Sequence, residues 1–302
     1  MRFLSRLAIL SVAVQAAACA AKPAIAPIAP TVRQPPAVSV DPPCTGLGCE
    51  QFDTPQEAFA RVLQSSPSIL ALGEFHARKG HQGLRTTATR FGEDLLPALQ
   101  GVASDIVIEL WVGGSQCTAS RQAVAREQEP VTREHAPSTP NEFVRLGDRA
   151  KALGIRPHAL EPSCEQLNHI LEAGDGAIHE MLVLTAQMFA TSARLYFQRN
   201  QATGADKMVV TWSGAMHNDL RPNHSCGEPC SFGKQLQTLA GGHYVELDLV
   251  VPEYIGDDEF WRKRVWYPYF DRKAVHTRTT LFSPGPGSYV LIFPSTPGWK
   301  PR

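Results

Sequence analysis

Ile69-Leu-Ala-Leu-Gly-Glu-Phe-His76, followed shortly by His81, is the stretch on which the reading of this chain turns. Ile69 to Leu72 is apolar at every position, the composition of a strand buried on both faces in a parallel sheet. The run stops at Gly73, and the chain then delivers a carboxylate, Glu74, and two imidazoles, His76 and His81. Open α/β sheets bind their ligands beyond the carboxyl ends of such strands. Val209-Val-Thr-Trp-Ser-Gly-Ala-Met-His217 repeats the pattern: an apolar run, a glycine, then a histidine.

The flanking sequence alternates strands and helices. Thr54-Pro-Gln-Glu57 is a capping box with proline at the first helical position, opening a helix to about Gln64. Ser68 to Gly73 is the first expected strand. Leu84, Ala88, Phe91, Leu95 and Leu99 recur at helical spacing. Asp105 to Trp111 is the second strand, ended by Gly113 and Gly114. The polar stretch 115–138, with Pro130 and Pro137, reads as a helix followed by a surface excursion. Thr139-Pro-Asn-Glu142 has the form of a second capping box, with Phe143, Leu146, Ala150 and Leu153 on the buried face and Gly154 as the stop. Ile155 to Pro162 is a third strand that Pro157 pushes towards a sheet edge. A long helix is expected over 175–200, with Met181 and Met188 as core filler and His179 at the surface. Then come a strand over 207–213, a short helix over 232–240, a strand with period-two alternation over 243–251, an aromatic segment (Trp261, Trp266, Tyr267, Tyr269, Phe270) and a strand over 289–293. The order predicts a single α/β domain with a largely parallel sheet flanked by helices.

The 302 residues carry 29 basic and 29 acidic side chains, a balance that gives no reason to expect a nucleic-acid partner. Met1 to Arg6 is basic, and Leu7 to Ala18 is apolar but too short to span a bilayer. Residues 1–18 therefore read as a signal peptide. They end in Ala16-Ala-Ala-Cys19, which looks like a bacterial lipoprotein signal with Cys19 as the lipidated residue; ordinary signal-peptidase cleavage is the alternative. Residues 19–43 are rich in Ala and Pro and read as a disordered tether, with the folded domain spanning 44–302. The expected location is the cell envelope, anchored in the outer membrane through lipid, on the periplasmic or surface face.

Export makes disulfides the expectation for the other six cysteines. Cys44 and Cys49 close one short loop, Cys226 and Cys230 another, which leaves Cys117 to pair with Cys164. A zinc site in His224-Ser-Cys226-Gly-Glu-Pro-Cys230 is the rival for the last loop.

Each of the first four predicted strands ends in ionisable residues: Glu74 and His76 with His81, then Glu109, then Glu161, then His217 beside Asn218 and Asp219. Glu109 is the most telling, because an unpaired carboxylate among Ile108, Leu110 and Trp111 would be costly to bury. The blander alternative, a satisfied polar group at a strand end, weighs most for Glu161 and His158. Ser213 lacks the upstream glycine of a nucleophile elbow and is discounted. Two hydrolytic chemistries suit the set. In one, His76, His217 and Glu109 hold a divalent metal that acidifies a bound water. In the other, an imidazole paired with Glu74 or Glu109 deprotonates water directly. Histidines or nearby tyrosines could instead ligate haem iron.

Gly73-Glu-Phe-His76 with His81, the strand ending in Ile108-Glu109, and Gly214-Ala-Met-His217 resemble the superfamily joining erythromycin esterases, ChaN-type haem-binding lipoproteins and the TraB and Tiki proteins. The resemblance implies an α/β fold in which Glu74, His76, Glu109 and His217 occupy the motif positions, and His81 matches the trailing histidine of the ChaN branch. It implies hydrolysis in the esterase and Tiki branches, metal-dependent in the latter, and haem or iron handling in the ChaN branch.

Three functions are therefore expected, in this order. The first is an envelope lipoprotein that hydrolyses a small-molecule substrate, esterase- or metalloprotease-like, with Glu74, His76, Glu109 and His217 as catalytic residues. The second is a haem- or iron-binding lipoprotein using His76, His81 and His217. The third is a non-catalytic lipoprotein that binds a partner through the segment from Trp261 to Phe270.

Overall fold

A computed structural model describes residues 39–113 and 115–299; the expected signal peptide (1–18) and Cys19 lie outside the described residues. Eight strands form one sheet: β1 (Glu50–Phe52), β2 (Ile69–Glu74), β3 (Ala103–Trp111), β4 (Arg156–Leu160), β5 (Met208–Gly214), β6 (Tyr244–Val250), β7 (Thr279–Gly285) and β8 (Ser288–Ile292). Their spatial order is β1-β7-β8-β6-β2-β5-β3-β4. From β4 to β8 every neighbouring pair is parallel, and β7 and β1 add an antiparallel margin. The fold is the expected α/β type with a largely parallel sheet. β2 is central: each residue from Ile69 to Glu74 pairs with β5 on one side and β6 on the other. That position explains its unbroken apolar run, since all six residues are buried.

Helices cover both faces. One face packs against α1 (Pro55–Leu63), the α2 segment (Thr87–Arg90) and α4 (Thr139–Ala152), through Leu70, Leu72, Val210, Trp212, Ile106 and Ile108. The other packs Ile69, Ala71, Val107 and Val209 against α6 (Ala177–Ala202) and α7 (Gly233–Leu239). The α3 helix (Thr118–Thr132) and α5 (Cys164–Glu172) build a smaller satellite core with the start of α6. Among the described residues no helix is long and apolar enough to cross a membrane.

Several local expectations change for identifiable reasons. The capping box at Thr54 forms in full, with Glu57 closing back on the Thr54 amide. The one expected at Thr139 does not: α4 begins at Thr139, and the Glu142 carboxylate is taken by the Thr86 hydroxyl instead. The helix expected over Leu84–Leu99 is broken into α2, a π-helical turn (Phe91–Leu95) and a 3-10 turn (Leu96–Leu99). Pro97 cannot donate to the carbonyl four residues back, so the ladder must change pitch there. Its apolar face survives the break, with Phe91, Leu95 and Leu99 fully buried. β6 is buried at every position rather than alternating, because both of its faces are covered.

The described body also starts before Cys44. Val40 bridges Val275, and the Asp41 carboxylate accepts from the amides of Thr277 and Arg278. Ser39 to Pro43, expected in the tether, thus include residues bound to the domain. The three disulfides are the expected ones: Cys44–Cys49, Cys117–Cys164 and Cys226–Cys230.

Candidate active site

The β2 end supplies the first half of the site. Glu74 closes the strand with its side chain buried, and the chain turns back so that His76 Nδ1 lies 2.7 Å from Glu74 Oε1. Burial opposes charge on His76, but the hydrogen bond and negative charge of Glu74, helped by Glu109, outweigh it and raise the imidazole to about 9. Burial likewise pushes the Glu74 carboxyl upward, against the pull of His76. With Nδ1 committed to Glu74, His76 presents Nε2 to the cavity.

The second half comes from β3 and β5. The last pairing of β3 with β5 is Ile108 with Trp212. Beyond it the Glu109 side chain reaches over to the β5 end, where Oε2 accepts the Gly214 amide at 2.6 Å. Gly214 matters for its missing side chain. A Cβ there would lie 3.3 Å from His76 Nε2 and 3.6 Å from Glu109 Oε2, so both groups converge on the space above this one α-carbon. His217 follows on the turn after β5, almost wholly buried. Its Nδ1 donates to the Cys230 carbonyl at 2.8 Å, which directs Nε2 towards Glu109 Oε1 at 3.9 Å. The loop around Cys230 grips His217 by its backbone too, since the Phe232 amide and the Ser231 hydroxyl both donate to the His217 carbonyl.

These groups form the floor of a cavity of about 600 Å³, a size typical of small-molecule sites. Its walls are largely apolar, contributed by the β3 end (Leu110, Trp111), by Val131 of α3, by Phe143 of α4 and by Ile178 and Leu182 of α6. Met181, expected as core filler, lines it as well.

The structure thus brings Glu74, His76, Glu109 and His217 together. His81 reaches the cavity wall, its ring stacked on Tyr254 at 4.3 Å. Glu161 and His158 do not join. Glu161 is exposed, and His158 bonds the Asp105 carboxylate at 2.8 Å and stacks on Tyr196. Ser213 is fully buried outside the cavity, and Asn218 turns beneath the sheet to the Ala71 carbonyl and Asp248. The aromatic segment is mostly interior. Trp261, Trp266 and Phe270 belong to the larger core, whereas Tyr269 is exposed.

One site residue was not foreseen. His135 lies with its ring centroid 4.7 Å from that of His76, held neutral because burial and the positive charge of His76 drive its pKa to about 4. It arrives through the polar excursion, which is stitched to the loop after β2 by Lys79–Glu134 and Ala136–Ala77 backbone bonds. Two prolines flanking a lone histidine were the sole trace of it in the sequence.

Three potential metal donors also gather elsewhere. His179 Nδ1 and the sulfurs of Cys226 and Cys230 lie within 4.8 Å of one another, a group that could hold an ion, although the two sulfurs are joined as a disulfide. Among the described residues His76, Glu109 and His217 do not form so tight a set.

No protein-family model matches this chain, and no curated protein matches it. Two solved structures are similar to it. The type III effector HopBA1 shares 10% identity over 83% of this chain and 98% of its own, at a TM-score of 0.38. A protein from Bacillus cereus shares 12% identity over 68% and 72%, at a TM-score of 0.32. Likenesses this distant carry no argument about the chain.

Proposed function

We propose that the protein is a hydrolase that activates water without a metal, acting on a small ester-like substrate in the cavity above Gly214. The observation that carries this reading is the convergence of His76 Nε2 and Glu109 Oε2 on the same space, with His217 Nε2 alongside. An imidazole and a carboxylate facing one point are what general acid–base catalysis needs.

His76, held as an imidazolium near neutral pH by Glu74, serves as the acid. Glu109, steadied by the Gly214 amide, serves with His217 as the base. The 3.9 Å between Glu109 and His217 is too long for a direct hydrogen bond, yet both can reach one water oxygen. That oxygen bonds to the substrate carbonyl carbon while one of its protons passes to the Glu109 carboxylate and its other O–H donates to His217 Nε2. The carbon–oxygen bond to the leaving group then breaks, and the departing oxygen takes the His76 proton. Transfer of the captured proton back to His76 restores the site, so ester and water give acid and alcohol.

A divalent metal on His76, His217 and Glu109 has less support. A metal needs ligand atoms roughly 2.0–2.3 Å from its centre, and among the described residues these three donors do not gather that closely. His81 and Tyr254 at the cavity wall are the residues that keep the haem reading distinct. The three disulfides support an oxidising, extracytoplasmic compartment, in keeping with a lipid-anchored envelope protein.

A panel of p-nitrophenyl esters of increasing chain length tests the reaction. Turnover that persists in excess chelator and falls in His76→Gln supports it. A panel wholly inert with wild-type protein, or turnover restored only by added metal, overturns it.

A further inference from the structure

The cavity holds a cation that this mechanism does not use. Arg264 lies on its lining, half-buried, with its guanidinium carbon 4.5 Å from the Phe260 ring centre and 5.1 Å from that of Phe75. Phe75 and Phe260 line the same cavity. Aromatic rings steady a cation but accept little from its N–H groups. The Arg264 Nε is buried with no hydrogen-bond partner. Its charge acts on two buried carboxyls outside ion-pair distance: on Asp248, which burial raises, Arg264 is the largest opposing effect, and Asp219 feels it as well. Its buried Nε–H has no acceptor, which an anion in the cavity would supply.

Two arginines line this cavity, Arg78 and Arg264. Arg78 is at the exposed rim, whereas Arg264 is the cation set among apolar side chains. Most of the remaining wall is apolar, through Leu110, Trp111, Phe143, Ile178 and Leu182.

We infer that the site takes amphipathic monoanions, the anionic group on the Arg264 guanidinium and the apolar body along the wall formed by β3, α4 and α6. This deepens the proposed function by naming its substrate class, and it rests on that reading only for the claim that the bound molecule is also hydrolysed. Arg264 is here a binding residue for the end of the molecule remote from the scissile bond.

Calorimetric titration of the protein with decanoate, decanol and decyltrimethylammonium separates charge from chain. Decanoate is expected to bind at least about tenfold more tightly than decanol, and the ammonium more weakly still. Arg264→Gln should bring decanoate down to the level of decanol while leaving decanol unchanged, and Arg264→Lys should retain part of the difference. Equal binding of the three ligands overturns the inference, as does decanoate binding untouched in a folded Arg264→Gln protein. If that variant does not fold, the wild-type comparison of the three ligands decides alone. Turnover of p-nitrophenyl decanoate is measured alongside. Charge-selective binding without turnover removes the hydrolase and keeps the anion site, whereas turnover without charge selectivity does the reverse.

Discussion

His76 Nδ1 lies 2.7 Å from Glu74 Oε1, two residues back on the same strand end, and this contact sets the charge of the site. A histidine outside such a pairing titrates near 6.5; against the opposing effect of burial, Glu74 and Glu109 hold this one to about 9. Because the folded value is raised, the stabilisation from protonating His76 is fully present below the unfolded value near 6.5. It is lost as pH rises through about 9.

Replacing Glu74 with Gln should therefore move the alkaline limb of the rate profile. Wild-type activity is expected to fall as His76 deprotonates around pH 9. In Glu74→Gln the same limb should appear at least about one unit lower, and NMR titration of the His76 ring should shift with it. An unmoved limb would mean that His76 is not the acid.

Gly214→Ala isolates the meeting point from the fold. The added methyl would sit 3.3 Å from His76 Nε2 and 3.6 Å from Glu109 Oε2, within the space assigned to the reacting atoms. Gly214 is not among the glycines with positive φ, so alanine suits the backbone and stability should change by less than about 1 kcal/mol. Activity should fall at least about a hundredfold. The pair of measurements is thermal melting and turnover on the same sample.

The disulfide Cys226–Cys230 should act on catalysis through His217. Cys230 supplies the carbonyl that orients the imidazole, at 2.8 Å from Nδ1. Loosening that loop by the double change Cys226→Ser and Cys230→Ser is expected to lower kcat by about 10–100-fold, the usual effect of losing a group that orients a working histidine. KM should hardly move, because the cavity wall is untouched. A change confined to KM would mean that the loop shapes binding instead.

Asp105 predicts a stability effect without a catalytic one. It is fully buried and accepts from Arg156, His158 and Arg199, which bind the edge strand β4 and helix α6 to β3. Burial acts to raise its carboxyl, but the hydrogen bonds from His158, Arg156, Ser104 and Arg199 prevail and hold it far below the usual range. Asp105→Ala should cost about 3 kcal/mol, at the low end for breaking a buried pair because the arginines still reach water. Its stabilisation is present above pH about 4 and lost only as pH falls through the depressed folded value. Denaturant titration reads the loss, and kcat of the folded variant should match wild type.

Much of this site was legible in the sequence, for a physical reason. A strand buried on both faces must be apolar throughout, so Ile69–Leu72 and Val209–Val210 stand out, and the polar residues after Gly73 and Gly214 mark where burial ends. Glu109 was legible as a carboxylate that its neighbours could not satisfy, and the Gly214 amide is what satisfies it. What could not be read is whatever depends on contacts between distant segments. His135 comes from a polar loop whose path is set by bonds to residues 77 and 79. Glu161 looked equivalent to Glu109 in strand position, but β4 lies at the sheet edge, where a carboxylate simply meets water. Trp261 and Trp266 looked like a surface patch because local sequence cannot say which loop folds back over the core. The antiparallel strand β7 went unseen for a similar reason, since its register comes from β8 and β1.

The most direct measurement is kcat for p-nitrophenyl decanoate in Glu109→Gln, in excess chelator, beside wild type. Glutamine keeps the size of the side chain and its acceptor for the Gly214 amide but cannot take a proton. Acid–base hydrolysis at this site predicts a fall in kcat of about 10²–10⁴-fold with decanoate affinity and melting temperature near wild type. Turnover at the wild-type rate in a folded Glu109→Gln protein would contradict it.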